Sequence, residues 1–451
     1  MVTVSDSSNT PVVTVLSDRS ALEPKFCEDA ACVASASTAA LRPDRLLLAF
    51  IALLLLWIAG VVWDALGVTN LPPAGGEQGD VVMRELLRGL PEEQRPEGWE
   101  LETIDGKVVR NAFADQPEGI KAMSELYRDR GSFEYLIDSM SEGAAESFGG
   151  LLALEPDSVF RGIVAGSILP IRTLWSADRG FLVAFGSWGL LVLGLLGGAM
   201  CRSDAERLGN DREVPVMTSI RWALGDWRRL WGAGMLPPVM VLLLLTPIAV
   251  VLGLLSLIPA IDVVIAILWF APLVLGFAAA IVLAAWVVGL PLIIPAAAME
   301  AGDPGEITVR VATLLRRRPL RALLLGGTAL VSGLLLWMVI ALVVVFTLAG
   351  TSGALSAFVE PIAPIAQPTW PTLAMESPVS PMDADGVSIE WGATSQLSSA
   401  VIEWWNGVVI LIARAWILGF LLLAAGRIYL CLRRAVEKLP FDDLGQSGPL
   451  G

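Results

Sequence analysis

The side chains that most enzymes use for catalysis are missing from this sequence or lie in unsuitable places. The chain contains no histidine, which excludes imidazole general bases, Ser-His and Cys-His nucleophile pairs, and most catalytic zinc sites. Its lysines lie outside the apolar segments, so a Ser-Lys dyad within a membrane is excluded too. The sequence therefore predicts a protein that is not an enzyme and that needs no cofactor.

Arg414 is the residue whose type and position best indicate a binding role. It is the one ionisable residue well inside a long apolar run, where a guanidinium costs several kcal/mol unless it finds a partner or water. Arg414 is therefore the candidate binding residue, in a polar pathway through the membrane. The alternative is that its long side chain reaches the interface near Glu403 or Asp262 and has no functional role.

Cys27 and Cys32 enclose two acidic residues in the run Phe-Cys-Glu-Asp-Ala-Ala-Cys. Two thiolates without further ligands make a poor zinc site, so we expect no metal. Cys201 and Cys431 fall, like this pair, on the side of the membrane that we assign to the cytoplasm or at its boundary. Thiols stay reduced there, and no disulfide is expected.

The composition is that of a membrane protein. Of the 451 residues, 55% are apolar and only 17% are charged, which is too apolar for an ordinary soluble chain of this length. The formal net charge of −14 disfavours nucleic acid as a partner, because phosphates require basic patches. The predicted partner is the lipid bilayer.

The sequence contains six apolar runs long enough to cross a bilayer, which needs about 20 residues per helix. They are Leu46–Trp63, Gly180–Cys201, Gly232–Ile261, Val263–Met299, Ala322–Val359 and Gly407–Gly426. Pro291 and Pro295 predict that the fourth helix ends near Val288 and continues as an irregular or re-entrant piece. The predicted fold class is an all-α integral membrane protein with about six transmembrane helices.

The polar segments between these runs define the predicted organisation. It comprises a disordered cytoplasmic tail (1–44), a first span (45–66), a small, mostly helical extracytoplasmic domain (67–178), a five-helix membrane region (179–434) and a cytoplasmic tail (435–451). Asp105-Gly106 predicts a short hairpin in the extracytoplasmic domain. The outer loop 351–403 is rich in proline and acidic residues, which predicts an extended or disordered segment.

The distribution of arginine and lysine predicts the orientation. Basic residues collect before span one, between spans two and three, between spans four and five, and after span six. The loops between spans three and four, and between spans five and six, contain none. By the positive-inside rule, both termini lie in the cytoplasm of a multi-pass protein of the bacterial inner membrane.

Two cytoplasmic segments, 215–231 and 305–318, combine an apolar stripe with arginines. Val216, Ile220 and Leu224 belong to the first stripe, and Ile307 and Val311 to the second. This pattern is typical of helices that lie flat on a membrane surface. The arginines predicted to contact lipid headgroups are Arg221, Arg228, Arg229, Arg310, Arg316, Arg317 and Arg318.

The paired spans, the basic linkers and the run Pro295-Ala-Ala-Ala-Met-Glu300 leading to Arg318-Pro319 resemble multi-span bacterial membrane-protein families. They resemble Yip-type membrane proteins more distantly. The resemblance covers about residues 202–434 and implies a bundle of paired transmembrane helices.

Two functions remain for such a chain. The leading hypothesis is a non-enzymatic scaffold or envelope-organising component, whose outer domain and basic helices contact lipid headgroups or partner proteins. The alternative is a transporter or permease-like component that uses proline-kinked helices and Arg414.

Overall fold

The computed structural model describes residues 26–67, 130–255, 269–358, 367–376, 393–439 and 441. The helices in these residues are α1 Phe26–Ala34, α2 Ala36–Ala39, α3 Pro43–Ala65, α4 Ser132–Ala153, α5 Pro156–Ile163, α6 Leu169–Ala177, α7 Arg179–Val192, α8 Gly198–Asn210, α9 Val216–Gly225, α10 Trp227–Leu255, α11 Phe270–Met299, α12 Pro304–Arg317, α13 Pro319–Phe358 and α14 Ala393–Glu437. The π-helical turns Val164–Ile168 and Leu193–Gly197 join α5 to α6 and α7 to α8. The strands β1 Gln367–Thr369 and β2 Ala374–Glu376 pair as an antiparallel hairpin.

Six of the described helical segments are long and apolar enough to cross a membrane, which confirms the predicted number of spans. They are Pro43–Ala65, Arg179–Asn210, Trp227–Leu254, Pro272–Met299, Pro319–Ala354 and Leu397–Glu437. Their outward surfaces carry many exposed apolar side chains. Such surfaces are stable only when hydrocarbon covers them.

The prediction that the fourth span ends near Val288 is wrong. Helix α11 continues through Pro291 and Pro295 to Met299, and α10 likewise contains Pro237, Pro238 and Pro247. Membrane helices tolerate proline because neighbouring helices and local adjustments satisfy the freed carbonyl groups.

The prediction of a disordered N-terminal tail is wrong for residues 26–39. These residues form α1 and α2, in which Val33 and Ala36 are fully buried. The small residues of this segment allow it to pack closely, although its composition alone resembles that of a disordered tail. Residues 1–25 lie outside the described part.

The prediction of an extended or disordered loop 351–403 is wrong at both ends and in the middle. Helix α13 continues to Phe358 and α14 begins at Ala393. Residues 367–376 form the β1–β2 hairpin.

The chain divides into two compact units. Unit 1 contains the described residues of Met1–Leu48, Leu193–Leu335 and Leu418–Gly451, and unit 2 contains those of Ala49–Val192 and Leu336–Ile417.

In unit 2, the described part of the predicted outer domain is a helical hairpin. Helix α4 packs against α5 and the following π-helical turn. The helices approach so closely at Gly143 that a Cβ atom there would lie 2.4 Å from Gly166 Cα. The predicted turn at Asp105-Gly106 lies outside the described residues.

Two aspartates fix the ends of this hairpin. The Asp64 carboxylate accepts the backbone N–H groups of Phe133 and Glu134, both at 2.9 Å, at the start of α4. The buried Asp178 accepts hydrogen bonds from Trp63 Nε1, Ser132 Oγ and the backbone N–H of Phe181 at 2.8–3.0 Å. Carboxylates stabilise helix N-termini by pairing with unsatisfied N–H groups. The hairpin is therefore attached to the ends of α3 and α7.

Candidate functional sites

Unit 1 contains a buried ion-pair cluster centred on Asp204 of α8. Arg427 of α14 contacts its carboxylate with two nitrogens, Nε at 2.8 Å and Nη2 at 3.0 Å. Arg45 of α3 approaches the same carboxylate with Nη1 at 2.8 Å. All three residues are less than 5% exposed. Such charge-assisted, two-pronged contacts are the strong class of hydrogen bond and offset part of the cost of burying charge.

Arg427 also holds the N-terminal helices. Its Nη1 donates to the Cys32 carbonyl at 2.9 Å and to Ser35 Oγ at 2.5 Å. Asp29 of α1 forms a second ion pair, with Arg321 at the start of α13. These contacts explain why residues 26–39 are ordered and packed against the membrane helices.

Glu300 is the second centre of the cluster and lies directly after α11. It accepts hydrogen bonds from Arg310 Nη1 at 2.9 Å and from the Tyr429 hydroxyl at 2.8 Å, and Arg433 Nε lies 3.1 Å from the same oxygen as the tyrosine in an ion pair. Both of its carboxylate oxygens are therefore occupied, and its residue surface is only 4% exposed.

Arg310 bridges Glu300 to the end of α14. Its Nε and Nη2 donate to the two carboxylate oxygens of Glu437 at 2.9 and 2.6 Å. The hydrogen bond to Glu437 and the charge of Glu300 raise the pKa of Arg310 above its ordinary value. Arg310 therefore stays charged and links α12 to α14 instead of lying on the surface as predicted.

The buried charges of unit 1 balance. The buried acids in its described residues are Asp29, Asp204, Glu206 and Glu300, and the buried bases are Arg45, Arg202, Arg427 and Arg433. Each acid contacts at least one arginine. A balanced set avoids an uncompensated buried charge, which costs several kcal/mol. We therefore interpret the cluster as a set of ion pairs that holds the ends of the helices together.

The sequence alone does not indicate this cluster. The orientation of the chain was the only property predicted from the basic residues Arg45, Arg427 and Arg433. No role was predicted for the side chains of Asp204 and Glu300. The available signal was an acid immediately after an apolar run, where a lone carboxylate is unfavourable without a partner. The partners themselves are distant in sequence.

Arg414, the predicted binding residue, lies in unit 2 near the middle of α14. Its Nη2 donates to the backbone carbonyl of Leu373 at 3.3 Å. Leu373 follows β1 at the tip of the hairpin and is fully buried. Arg414 therefore contacts the loop that joins the fifth and sixth spans. In the described residues, no ion pair of Arg414 is found and this is its one hydrogen bond.

Helices α13 and α14 hold the tip of the hairpin with tryptophans and apolar side chains. Trp337 Nε1 donates to the Pro371 carbonyl at 3.0 Å, and Trp337 stacks on Trp416 with ring centroids 6.3 Å apart. Leu373 packs in a cluster with Ala341, Val344, Ile410 and Ala413. Non-helical backbone at membrane depth must be buried in protein or line a cavity. Leu373 at the tip of the hairpin meets this condition, because it is buried among residues of α13 and α14.

The arginines predicted to lie on the membrane surface divide into two groups. Arg310 belongs to the buried cluster, and Arg229 pairs with Asp226 at 2.6 Å and is partly buried. The exposed members are Arg221, Arg228, Arg316, Arg317 and Arg318.

The apolar stripe of α12 does not face lipid, so this part of the prediction is wrong. Ile307, Val311 and Leu314 are 1–2% exposed. They face the protein because α12 packs against α10 and α11.

Six apolar helices with paired charges at their ends define a multi-pass α-helical membrane protein. No family model, curated protein or solved structure matches the chain.

Proposed function

We propose that the chain is a non-enzymatic scaffold or envelope-organising component of the bacterial inner membrane, with both termini in the cytoplasm. One observation carries the proposal. The carboxylate oxygens of Asp204 and Glu300 are already occupied by arginine or tyrosine donors. A buried carboxylate that is already paired with arginine is a poor site for a transported cation, and it contributes to the structure instead. The small extracytoplasmic domain between spans one and two offers a surface for partners.

Cross-linking tests the scaffold. Cells that express the tagged chain are treated with a membrane-permeable cross-linker and solubilised in mild detergent, and the purified complexes are identified by mass spectrometry. We expect a reproducible set of partner proteins that an unrelated six-span protein at the same expression level does not retain. Purification of the chain without specific partners would contradict the scaffold.

A second candidate, a transporter or permease-like component, is favoured by the β1–β2 hairpin and Arg414. Hairpins and interrupted helices at membrane depth commonly build substrate sites in transporters. Arg414 places a positive charge beside this hairpin. A charge in this position would select an anionic solute.

Two substitutions separate the charge of Arg414 from its hydrogen bond. Arg414→Gln removes the charge but keeps an N–H donor for Leu373, whereas Arg414→Leu removes both. If the chain is a transporter, either substitution abolishes its function, although Arg414→Gln leaves the protein stable. A scaffold keeps function with Arg414→Gln, while Arg414→Leu lowers stability by about 1–3 kcal/mol because the buried carbonyl loses its donor. Complementation of a deletion strain and thermal aggregation of the purified protein measure both outcomes.

A further inference from the structure

Helix α9 has an exposed face that combines apolar and basic side chains. Met217, Leu224 and the adjoining Trp227 are 60%, 54% and 41% exposed. Arg221 lies on the same face at helical spacing, and exposed Arg228 follows Trp227. The opposite side of α9 is buried through Ser219 and Ala223. Met217, Arg221, Leu224, Trp227 and Arg228 are called the α9 face below.

The position of α9 places this face at the ends of two predicted spans. The helix packs against α8 and the π-helical turn Leu193–Gly197, and both belong to the span Arg179–Asn210. Only Asp226 separates α9 from α10, whose span begins at Trp227. The α9 face therefore lies at the end of two spans, where a lipid headgroup is within reach.

The charges around the α9 face leave two cations without an acidic partner. Arg202 pairs with Glu206 and Arg229 pairs with Asp226. Arg221 and Arg228 form no ion pair within the described residues; Arg228 lies over the Trp227 ring, with its Cζ 5.7 Å from the centroid. Exposed arginines at the end of a span match the phosphate of an anionic lipid headgroup.

A separate group of N–H donors surrounds Trp222 on the inner side of α9. The Cζ atoms of Arg202 and Arg229 lie 5.6 and 5.8 Å from the centroid of the Trp222 ring. The buried Nε atoms of both arginines and Nε1 of Trp222 have no hydrogen-bond partner in the described part of the chain. Trp222 lies about 100° around the helix from Arg221, toward the buried side that contains Ser219 and Ala223, so these donors lie outside the α9 face.

We propose that the α9 face forms a binding site for an anionic phospholipid. The headgroup phosphate contacts Arg221 and Arg228, and the acyl chains cover Met217 and Leu224. Helix α12 is a different case, because its apolar stripe packs inside the protein. The two segments that looked alike in sequence therefore have different surfaces.

Thermal unfolding of the full-length protein in detergent tests the site. Phosphatidylglycerol, phosphatidylcholine or inorganic phosphate is added at equal concentration, and the unfolding temperature is followed. A ligand that binds only the folded state raises this temperature. We expect a rise with phosphatidylglycerol and none with phosphatidylcholine. An equal rise with inorganic phosphate would show that the site binds a free anion. It would overturn the proposal of a lipid ligand.

Paired variants locate the effect. Arg221→Gln with Arg228→Gln should weaken phosphatidylglycerol binding by roughly 30-fold, at about 1 kcal/mol per arginine. The control Arg207→Gln with Arg212→Gln removes the same charge from the same linker but lies outside the α9 face, and it should retain the full rise. An equal loss of phosphatidylglycerol binding in both double variants would indicate unspecific electrostatic attraction. It would overturn the proposed site. Unchanged binding in the Arg221 and Arg228 variant would also overturn it.

Met217→Ser with Leu224→Ser keeps the charge and removes the apolar contact. It should reduce the phosphatidylglycerol effect as well, because the apolar contact with the acyl chains contributes to binding. Unchanged binding here would contradict the proposed contact with the acyl chains. Size-exclusion chromatography without added lipid shows that each variant is folded.

Discussion

Asp204 and Arg427 form a two-pronged ion pair although 223 residues separate them in sequence. The pair joins α8 to α14, and Arg427 extends the connection to α1 through the Cys32 carbonyl. The cohesion of unit 1 therefore depends on a few buried polar contacts as well as on apolar packing.

The first prediction concerns the removal of this negative charge. Asp204→Asn leaves the guanidinium groups of Arg45 and Arg427 buried without their anion. We expect a loss of about 3–5 kcal/mol in stability, measured by thermal or denaturant unfolding in detergent. Glu213→Gln is the control, because its ion pair with Arg42 is exposed and exposed pairs contribute little. Equal behaviour of the two variants would show that the Asp204 cluster does not stabilise the fold.

A second prediction tests the close approach of helices in unit 2. In Gly143→Ala the new methyl group would lie 2.4 Å from Gly166 Cα and 2.5 Å from the Gly162 carbonyl oxygen. Backbone atoms cannot rotate away, so we expect destabilisation of about 1–3 kcal/mol. Gly149→Ala in the same helix meets nothing within 4 Å and should be neutral or stabilising by up to about 1 kcal/mol. Limited proteolysis of α4–α6 compares the two variants, and equal cleavage rates would contradict the packing.

A third prediction concerns the reactivity of Cys32. The hydrogen bond with the Cys431 thiol, followed by the charge of Arg427, lowers the pKa of Cys32 below its ordinary value. The thiolate is the reactive form, so alkylation of Cys32 should reach its half-maximal rate at a lower pH than that of a free thiol. Cys431→Ala removes the hydrogen bond and should move this midpoint to higher pH. Peptide mass spectrometry after timed alkylation measures the midpoint, and an unchanged value in the variant would refute the contact.

The fourth prediction concerns orientation. The arginine distribution predicts that both termini lie in the cytoplasm. Single cysteines at Arg207 and Arg317, introduced into a chain without its native cysteines, should react with an impermeant maleimide only after the cells are opened. A cysteine near Asp383 should react in intact cells. Labelling in the opposite pattern would invert the assignment.

The sequence by itself determined the membrane class and the number of spans. An apolar run of about 20 residues has few alternatives to a membrane helix, because each backbone group is satisfied within the segment. The runs beginning near Leu46 and Ala322 therefore indicated their helices directly. The rule that proline ends a helix failed at Pro291, because neighbouring helices compensate for the missing hydrogen bond.

Arg414 was identified from sequence as unusual, but its partner was not. The sequence indicated that a guanidinium lies within a span, and it offered Glu403 or Asp262 as the place that the side chain would reach. The structure instead brings the Leu373 carbonyl to Arg414. Backbone partners leave no trace in composition or periodicity, because every residue carries a carbonyl group.

Only the tertiary structure decided which charges are buried together. Asp204, Glu300 and Arg310 lie in segments whose composition indicates polar linkers at the membrane surface. The order of residues along the chain does not show which of these side chains form ion pairs. Whether α9 or α12 faces lipid was also undecided, since both segments carry an apolar stripe beside arginines. That outcome depends on which helices pack against each segment. An apolar stripe is stable against lipid or against protein, so its sequence alone does not distinguish the two.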